Sequence, residues 1–303
     1  MKTTLRICLC VLSILATSGC SVKRFAINKL GDSLANSGTT YAADDDPDLV
    51  QQALPFSLKL VEGLLAESPR HRGLLFTAAS GFTQYAYAFV QQDADLAEEH
   101  DLAAAEALRA RARRLYLRAR AYGLRGLDTR HRTFSQELAR DPRSAVRLTD
   151  KKDVALLYWT AAAWASAIAV SKENPDLIAD QPAVEALIDR AFVLDPDFEF
   201  GSIDGFLISY EPARQGVAGD PLVRARQHFD REVALTKGQQ ASPFVTLAET
   251  VSVQNQDRQE FEMLLKRALA IDADTRQEWR LQNLIVQRRA RWLLAREDDL
   301  FAR

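Results

Sequence analysis

Between Asp153 and Lys172 the chain runs through VALLYWTAAAWASAIAV, residues 154–170, which is seventeen positions without a charge. A helix that is apolar all round must be buried on all sides. Its length lies at the lower limit for a membrane span. Such spans are dominated by Leu, Ile and Phe, however, whereas this stretch holds seven alanines. Alanine lets neighbouring helices approach closely. Tyr158, Trp159 and Trp164 then supply the bulk that fills, or lines, the space left between them. The stretch therefore reads as the central helix of an all-helical body.

The surrounding chain is long enough to bury it. Its 303 residues are 47% hydrophobic and 26% charged, ample for one or two domains with a real core. A formal net charge of −2 offers no basic field to nucleic acid. The N-terminus reads as a processing signal: Lys2 and Arg6, an apolar run from Ile7 to Ala16, then Thr17-Ser18-Gly19-Cys20. Small residues directly before such a Cys resemble the bacterial lipoprotein signal. That expectation assigns 1–19 to a signal peptide, lipidation to Cys20, 20–46 to a flexible tether and 47–303 to a helical domain. Cys8 and Cys10 would be lost with the signal, so no disulfide or thiol site is expected in the mature chain. Ser21 after the Cys favours the periplasmic leaflet of the outer membrane, by resemblance to proteobacterial sorting.

Helix starts recur in one form, a capping side chain followed by Pro, at Asp46-Pro47, Asp220-Pro221 and Ser242-Pro243. Strand-like alternation is nearly absent, so the expected class is all-α. Helices are expected at about 47–67, 72–92, 95–125, 154–170, 182–194, 221–236, 243–255, 259–271 and 275–296. Phe82, Tyr85 and Phe89 fall three and four apart, hence on one face. Arginines crowd the later half of the 95–125 segment, where the helix dipole favours them. The stretch 197–219, with four of the thirteen glycines, reads as a structured loop around one short helix.

Helix ends carry similar punctuation. Asp128 to Asp195 spans 67 residues, close to two 34-residue tetratricopeptide units. The expectation is a single domain of degenerate tetratricopeptide-like hairpins, stacked into a superhelix with a concave face.

No catalytic set is visible. His71, His100, His131 and His228 are isolated, with no second metal ligand at helical spacing, and no phosphate loop or nucleophile elbow is present. Neither enzyme activity, metal nor cofactor is expected. What remains is binding. Phe82, Tyr85, Tyr158, Trp159, Phe206 and Tyr210 come from three separated segments and are the candidates to line a pocket or channel for an apolar ligand. A purely structural scaffold lipoprotein of envelope assembly, with no ligand, is the alternative at this point.

Four segments, SGFTQYAYAFV from Ser80, LYWTAAAWASAI from Leu157, DPDFEFGSIDGFLISYE from Asp195 and QRRARWLL from Gln287, resemble the TatT family. These are periplasmic tetratricopeptide-type lipoproteins that accompany TRAP (tripartite ATP-independent periplasmic) transporters. The similarity runs from about residue 47 to 301. It implies an all-α superhelix tethered to a membrane and associated with the transporter's solute-binding protein. It also implies self-assembly, a trimer foremost, and passage of ligand through a pore. The resemblance carries over no catalytic residues.

Overall fold

The computed structural model describes residues 28, 29, 31, 32, 38–214 and 216–302. The signal peptide expected at 1–19 and the lipidation expected at Cys20 lie outside the described residues. Every regular element among the described residues is helical. None of these helices is long and apolar enough to cross a membrane.

The longer helices are α1 (Pro47–Glu67), α2 (Arg72–Tyr85), α3 (Leu102–Asp128), α4 (Phe134–Arg140), α5 (Pro142–Val146), α6 (Val154–Ala169) and α7 (Pro175–Ala179). They continue with α8 (Gln181–Leu194), α9 (Ser202–Tyr210), α10 (Pro221–Thr236), α11 (Ser242–Leu247), α12 (Arg258–Leu269) and α13 (Arg280–Ala295). Capping sets several of these starts. The Asp46 carboxylate accepts from the Asp48 and Leu49 N–H groups, and Asp220 does the same for Leu222. At Ser242-Pro243 the start lies one residue earlier than the capping pattern predicts, with Ala241 as the cap.

The 72–92 and 95–125 segments divide differently from the periodicity. A π-helical turn, Ala86–Gln91, follows α2, and a further α-helical piece, Gln92–Ala97, carries the chain to Glu98. Asp95 thus belongs to the earlier helix, and α3 begins only after Asp101, whose carboxylate caps the Ala104 N–H. The acids in this region are a cap and its approach, not the first turn of one long helix.

Three apolar clusters stack along the chain. The first joins α1, α2 and α3 to one face of α6. The second gathers α4, α5, α8 and α9 on the opposite face of α6, and the third is formed by α10 to α13. Parts of the stretch expected as tether touch the first cluster's edge: Ser68 donates to Asn28 at 2.8 Å, and Tyr41 bonds Ser57 at 2.5 Å.

The contact that fixes the centre is α3 against α6, the most extensive helix pair among the described residues. A Cβ placed on Gly123 would lie 2.1 Å from Thr160 Oγ1, far inside contact distance. Thr160 is fully buried, and its hydroxyl donates to the Leu156 carbonyl at 2.5 Å, so it has no room to retreat. The backbones meet there because a residue without a side chain permits it. Gly123→Ala should therefore destabilise the fold by roughly 1–3 kcal/mol, the usual cost of overpacking. Gly63, with nothing within 4 Å of its Cβ position on exposed α1, is the control. Gly63→Ala should stabilise by about 0.5–1 kcal/mol. Urea unfolding followed by circular dichroism checks both signs.

Candidate functional site

The central helix is not sealed on every side. Ten of its sixteen residues are buried; Ala155, Tyr158, Trp159, Ser166, Ile168 and Ala169 are not. Four of these, Ala155, Trp159, Ser166 and Ala169, spaced by four, seven and three, trace one narrow stripe along α6. The π turn after α2 aims Tyr87 outward from the first cluster, 51% exposed. Yet burial pushes the Tyr87 hydroxyl up to about 12, with the Glu249 and Asp95 charges adding to the shift. A side chain both open to solvent and hemmed in by protein lies in a recess. Glu199 shows the same pairing, because it is exposed while burial raises its carboxyl. Burial also raises the half-buried Tyr158 hydroxyl, and the charges acting on it come from Glu199, Glu232 and Tyr87.

Beside Tyr158 the chain makes a strained turn. Glu199, Phe200 and Gly201 all have left-handed backbone, with φ of 44°, 59° and 94°. Each non-glycine residue held this way costs on the order of 1–3 kcal/mol. The rings around the turn hold it. Phe198 packs on Tyr158 at 5.5 Å, and Phe200 meets Trp279 edge-on at 5.3 Å. The Arg276 guanidinium lies 4.1 Å above the Trp279 ring. The turn thus bridges α6 to the segment leading into α13.

Behind the turn lies Glu232, 2% exposed on α10. A Cβ on Gly205 would come within 2.9 Å of both its carboxyl oxygens, so the missing side chain at 205 is what admits the acid. Burial pushes the Glu232 carboxyl up to about 8, and the neighbouring Asp204 charge adds to the shift, so the group is mostly protonated at neutral pH. Asp204 is itself fully buried but compensated, accepting from His228 Nδ1 at 2.7 Å and Arg231 Nε at 3.1 Å.

The C-terminal helix closes the molecule back onto its start, and the seam is charged. Arg288 reaches Asp48 of α1 at 2.9 Å, and Arg289 reaches Asp95 at 2.9 Å and Glu249 at 2.7 Å. The Trp292 indole donates to Glu99 at 3.0 Å. A cavity of about 120 Å³ lined by Glu249, Arg289, Trp292 and Arg296 sits here. Glu249 belongs to a second π-helical turn, Ala248–Ser252. Both π turns thus border the recess or its seam, consistent with the tendency of π-bulges to occur where a side chain must be re-aimed.

This arrangement is a helical frame closed on itself, with a partly open aromatic recess along its central helix. Residues 43–301 match the family described as TRAP transporter T-component. The chain belongs to that family. A protein of Treponema pallidum (strain Nichols), described only as an uncharacterized protein, is 29% identical over 312 positions, covering 97% of each chain. Family membership makes this T-component chain part of a TRAP transport system, which is an envelope assembly.

In this T-component the six aromatic candidates do not gather in one place. Phe82 and Tyr85 are buried in the first cluster, where Phe82 stacks on Tyr122 at 6.1 Å and Tyr85 packs on Phe89 at 5.9 Å. Tyr158, Phe206 and Tyr210 belong to the second cluster, with Phe206 and Tyr210 stacked at 5.0 Å. Trp159 lies on the open stripe, 5.0 Å from Tyr158, and its buried Nε1–H has no protein acceptor. Tyr87, Glu199, Glu232 and Trp279 were not singled out by sequence reasoning. The one available signal was Glu199, a charge set between two Phe in FEF. The histidines serve locally: His71 caps α2 through Leu74 N–H, and His131 pairs with the buried Asp153 at 2.8 Å. Among the described residues no group of three or more ligating side chains could hold a metal.

The Glu232 carboxyl sets a pH dependence. Its folded pKa of about 8 lies above its ordinary 4.5, so the native state holds the proton more tightly. The stability it contributes is fully present below about 4.5 and is lost as pH rises through about 8. Glu232→Gln keeps the shape and removes the titration. The variant should gain on the wild type by on the order of 2–4 kcal/mol between pH 5 and pH 8.5. Urea midpoints at the two pH values measure it, and a constant difference would show that Glu232 ionises normally.

Proposed function

We propose that this protein is the periplasm-facing accessory subunit of a TRAP transporter, binding the solute-binding protein and taking an apolar small ligand into the recess beside α6. The observation that carries this reading is Trp159, half-open on the α6 stripe, 5.0 Å from Tyr158, with a buried Nε1–H that has no protein acceptor. Recesses lined by aromatic rings and a few polar groups suit small apolar ligands. Phe82, Tyr85, Phe206 and Tyr210 then act from behind, as packing that shapes the wall. Tetratricopeptide-like stacking of the helix pairs supplies the curvature. Lipidation at Cys20 ties the chain to a membrane, the outer membrane in our reading.

Assembly and partner docking are assigned to the outer face of α1. Leu49, Phe56 and Leu60 recur there at helical spacing and are exposed, Phe56 by 75%. Exposed apolar stripes of this kind mark interaction sites. We assign this stripe to self-association, with a trimer as the expected state.

The test uses the full chain with Cys20→Ser. Mixed with the solute-binding protein of the same TRAP system, it should form a complex by calorimetry at about tens of micromolar or below. Absence of a complex in that range counts against the partnership. Phe56→Asp should shift the protein towards monomer in sedimentation equilibrium and leave its helical circular dichroism unchanged. An unchanged mass would remove the α1 face from self-assembly.

A further inference from the structure

We propose that the end of the molecule against which Asn28 is seated docks on a membrane surface rich in anionic phospholipid, through Arg70, Arg125, Arg132 and Lys152. The inference rests on the attachment at Cys20 proposed above and says which face that attachment presents to the lipid.

The stretch expected as tether is anchored at this end. Ser68 donates to Asn28 at 2.8 Å, the His71 ring meets the Asn28 carbonyl at 3.2 Å, and His71 pairs with Asp32 at 3.3 Å. A Cβ on Gly31 would lie 3.0 Å from the Leu74 side chain, so the segment runs close over the start of α2. Cys20 precedes Asn28 by eight residues. A chain of that length spans at most about 29 Å. A lipid on Cys20 therefore holds this end of the molecule near the bilayer. Lys23 and Arg24 lie between the two positions in sequence, and no acid does. A lipid anchor is strengthened by such a second, basic signal.

Basic side chains converge there from three segments. The 68–71 turn is clamped to the end of α3 in both directions: Arg125 donates to the Pro69 carbonyl at 3.0 Å, and Arg70 to the Thr129 carbonyl at 3.4 Å. Arg72 donates to the Lys152 carbonyl at 2.8 Å, which brings the loop before α6 alongside. Arg70 and Arg132 border one cleft of about 310 Å³. Arg70, Arg125, Arg132 and Lys152 are exposed. Arg132 and Lys152 make no ion pair within 4 Å among the described residues. Leu148, 61% exposed between α5 and α6, adds an apolar side chain.

The acids packed among these cations are engaged. Asp128, which also lines the cleft, accepts from the Ser135 N–H at 2.9 Å and from its hydroxyl at 2.6 Å. Asp150 takes both nitrogens of Arg130, at 2.9 and 2.7 Å, and Asp153 meets Arg72 and His131, each at 2.8 Å. Glu67 is engaged as well. Residues 125–152 hold eight Arg and Lys against four Asp and Glu, in a chain of net charge −2. The other end of α3, about 40 Å away, reverses the sign. Residues 93–101 hold five acids and no Arg or Lys. A negative lipid plane thus attracts one end of the molecule and not the other. The short reach from Cys20 selects lipid over an acidic protein as the occupant, because the anchor keeps this face beside headgroups.

The test mixes the full chain carrying Cys20→Ser with vesicles of phosphatidylcholine, alone or with about 30% phosphatidylglycerol, and reads the bound fraction by flotation. Without a lipid on Cys20 the binding comes from the chain itself, so failure here leaves the lipidation reading standing. Partition onto the anionic vesicles should exceed that onto the neutral ones by about tenfold or more, and should fall towards the neutral value in about 0.5 M NaCl. Arg132→Glu combined with Lys152→Glu should lose at least about tenfold of the anionic-vesicle binding. Arg114→Glu combined with Arg291→Glu makes the same change of net charge at exposed positions elsewhere, and should stay within about twofold. Residues 1–19 are common to every form, so comparing variants cancels what they add. Circular dichroism checks that both double variants keep their helices. Equal partition onto the two vesicle types, undiminished binding by the first double variant, or equal losses in both double variants overturns the docking surface.

Discussion

Close approach of two helix backbones is the constraint on which the architecture depends. α3 and α6 meet where Gly123 faces Thr160 and Gly126 faces Leu156, positions at which an added Cβ would lie 2.1 and 2.8 Å from its neighbour. Once α3 is seated that closely, α6 has two faces left to cover. One goes to the first cluster through Ala163 and Ala167, and the other to the second through Leu157, Ala161 and Trp164. Small residues on α6 serve both contacts. What they cannot do is fill space on the remaining side, and that side is the open stripe. The recess is thus a geometric consequence of an alanine-rich helix pressed tightly against its partners elsewhere.

The sequence makes this much legible. A long uncharged run rich in alanine predicts a buried central helix, and buried it is over most of its surface. The same run does not reveal which side stays open, because Ala155 and Ala169 read identically to the alanines that pack. Cap-plus-Pro pairs mark starts well where the cap is Asp, as at Asp46 and Asp220, because a carboxylate both accepts the free N–H groups and suits the helix dipole. They mark it less well at Ser242, where Ala241 takes the boundary. The π turns at Ala86–Gln91 and Ala248–Ser252 are invisible to a periodicity of 3.6, since each shifts the register inside a segment that still looks helical. Tyr87 and Glu249 lie on those turns, which is why neither was found.

Aromatic spacing was a poor guide to the recess for a related reason. Phe82 and Tyr85 share a face with the core, and arginines of α3 close over their edges: the Arg118 guanidinium lies 5.3 Å from the Phe82 ring centre and Arg111 donates to the Tyr85 hydroxyl at 3.1 Å. The arginine-rich half of α3 therefore does more than solvate a surface. Its side chains spread over aromatic rings and tie neighbouring helices together, as Arg120 does over Trp164 while reaching Asp180 at 3.4 Å. Rings covered in this way are walls at second remove. Tyr158 and Trp159 have no guanidinium over them among the described residues, whereas Arg276 covers Phe200 and Trp279.

The electrostatic plan follows the same division. Where helices must stay together, opposite charges meet: Asp153 beneath α6, Asp204 beneath α9, and the seam of α13 against Asp48, Asp95 and Glu99. Those pairs fix one arrangement because a buried charge stripped of its partner is costly. Glu232 meets the problem differently, by remaining protonated in a slot that Gly205 keeps free. Glu199 and Glu185 have neither remedy: burial raises both carboxyls, and neither makes an ion pair within 4 Å among the described residues.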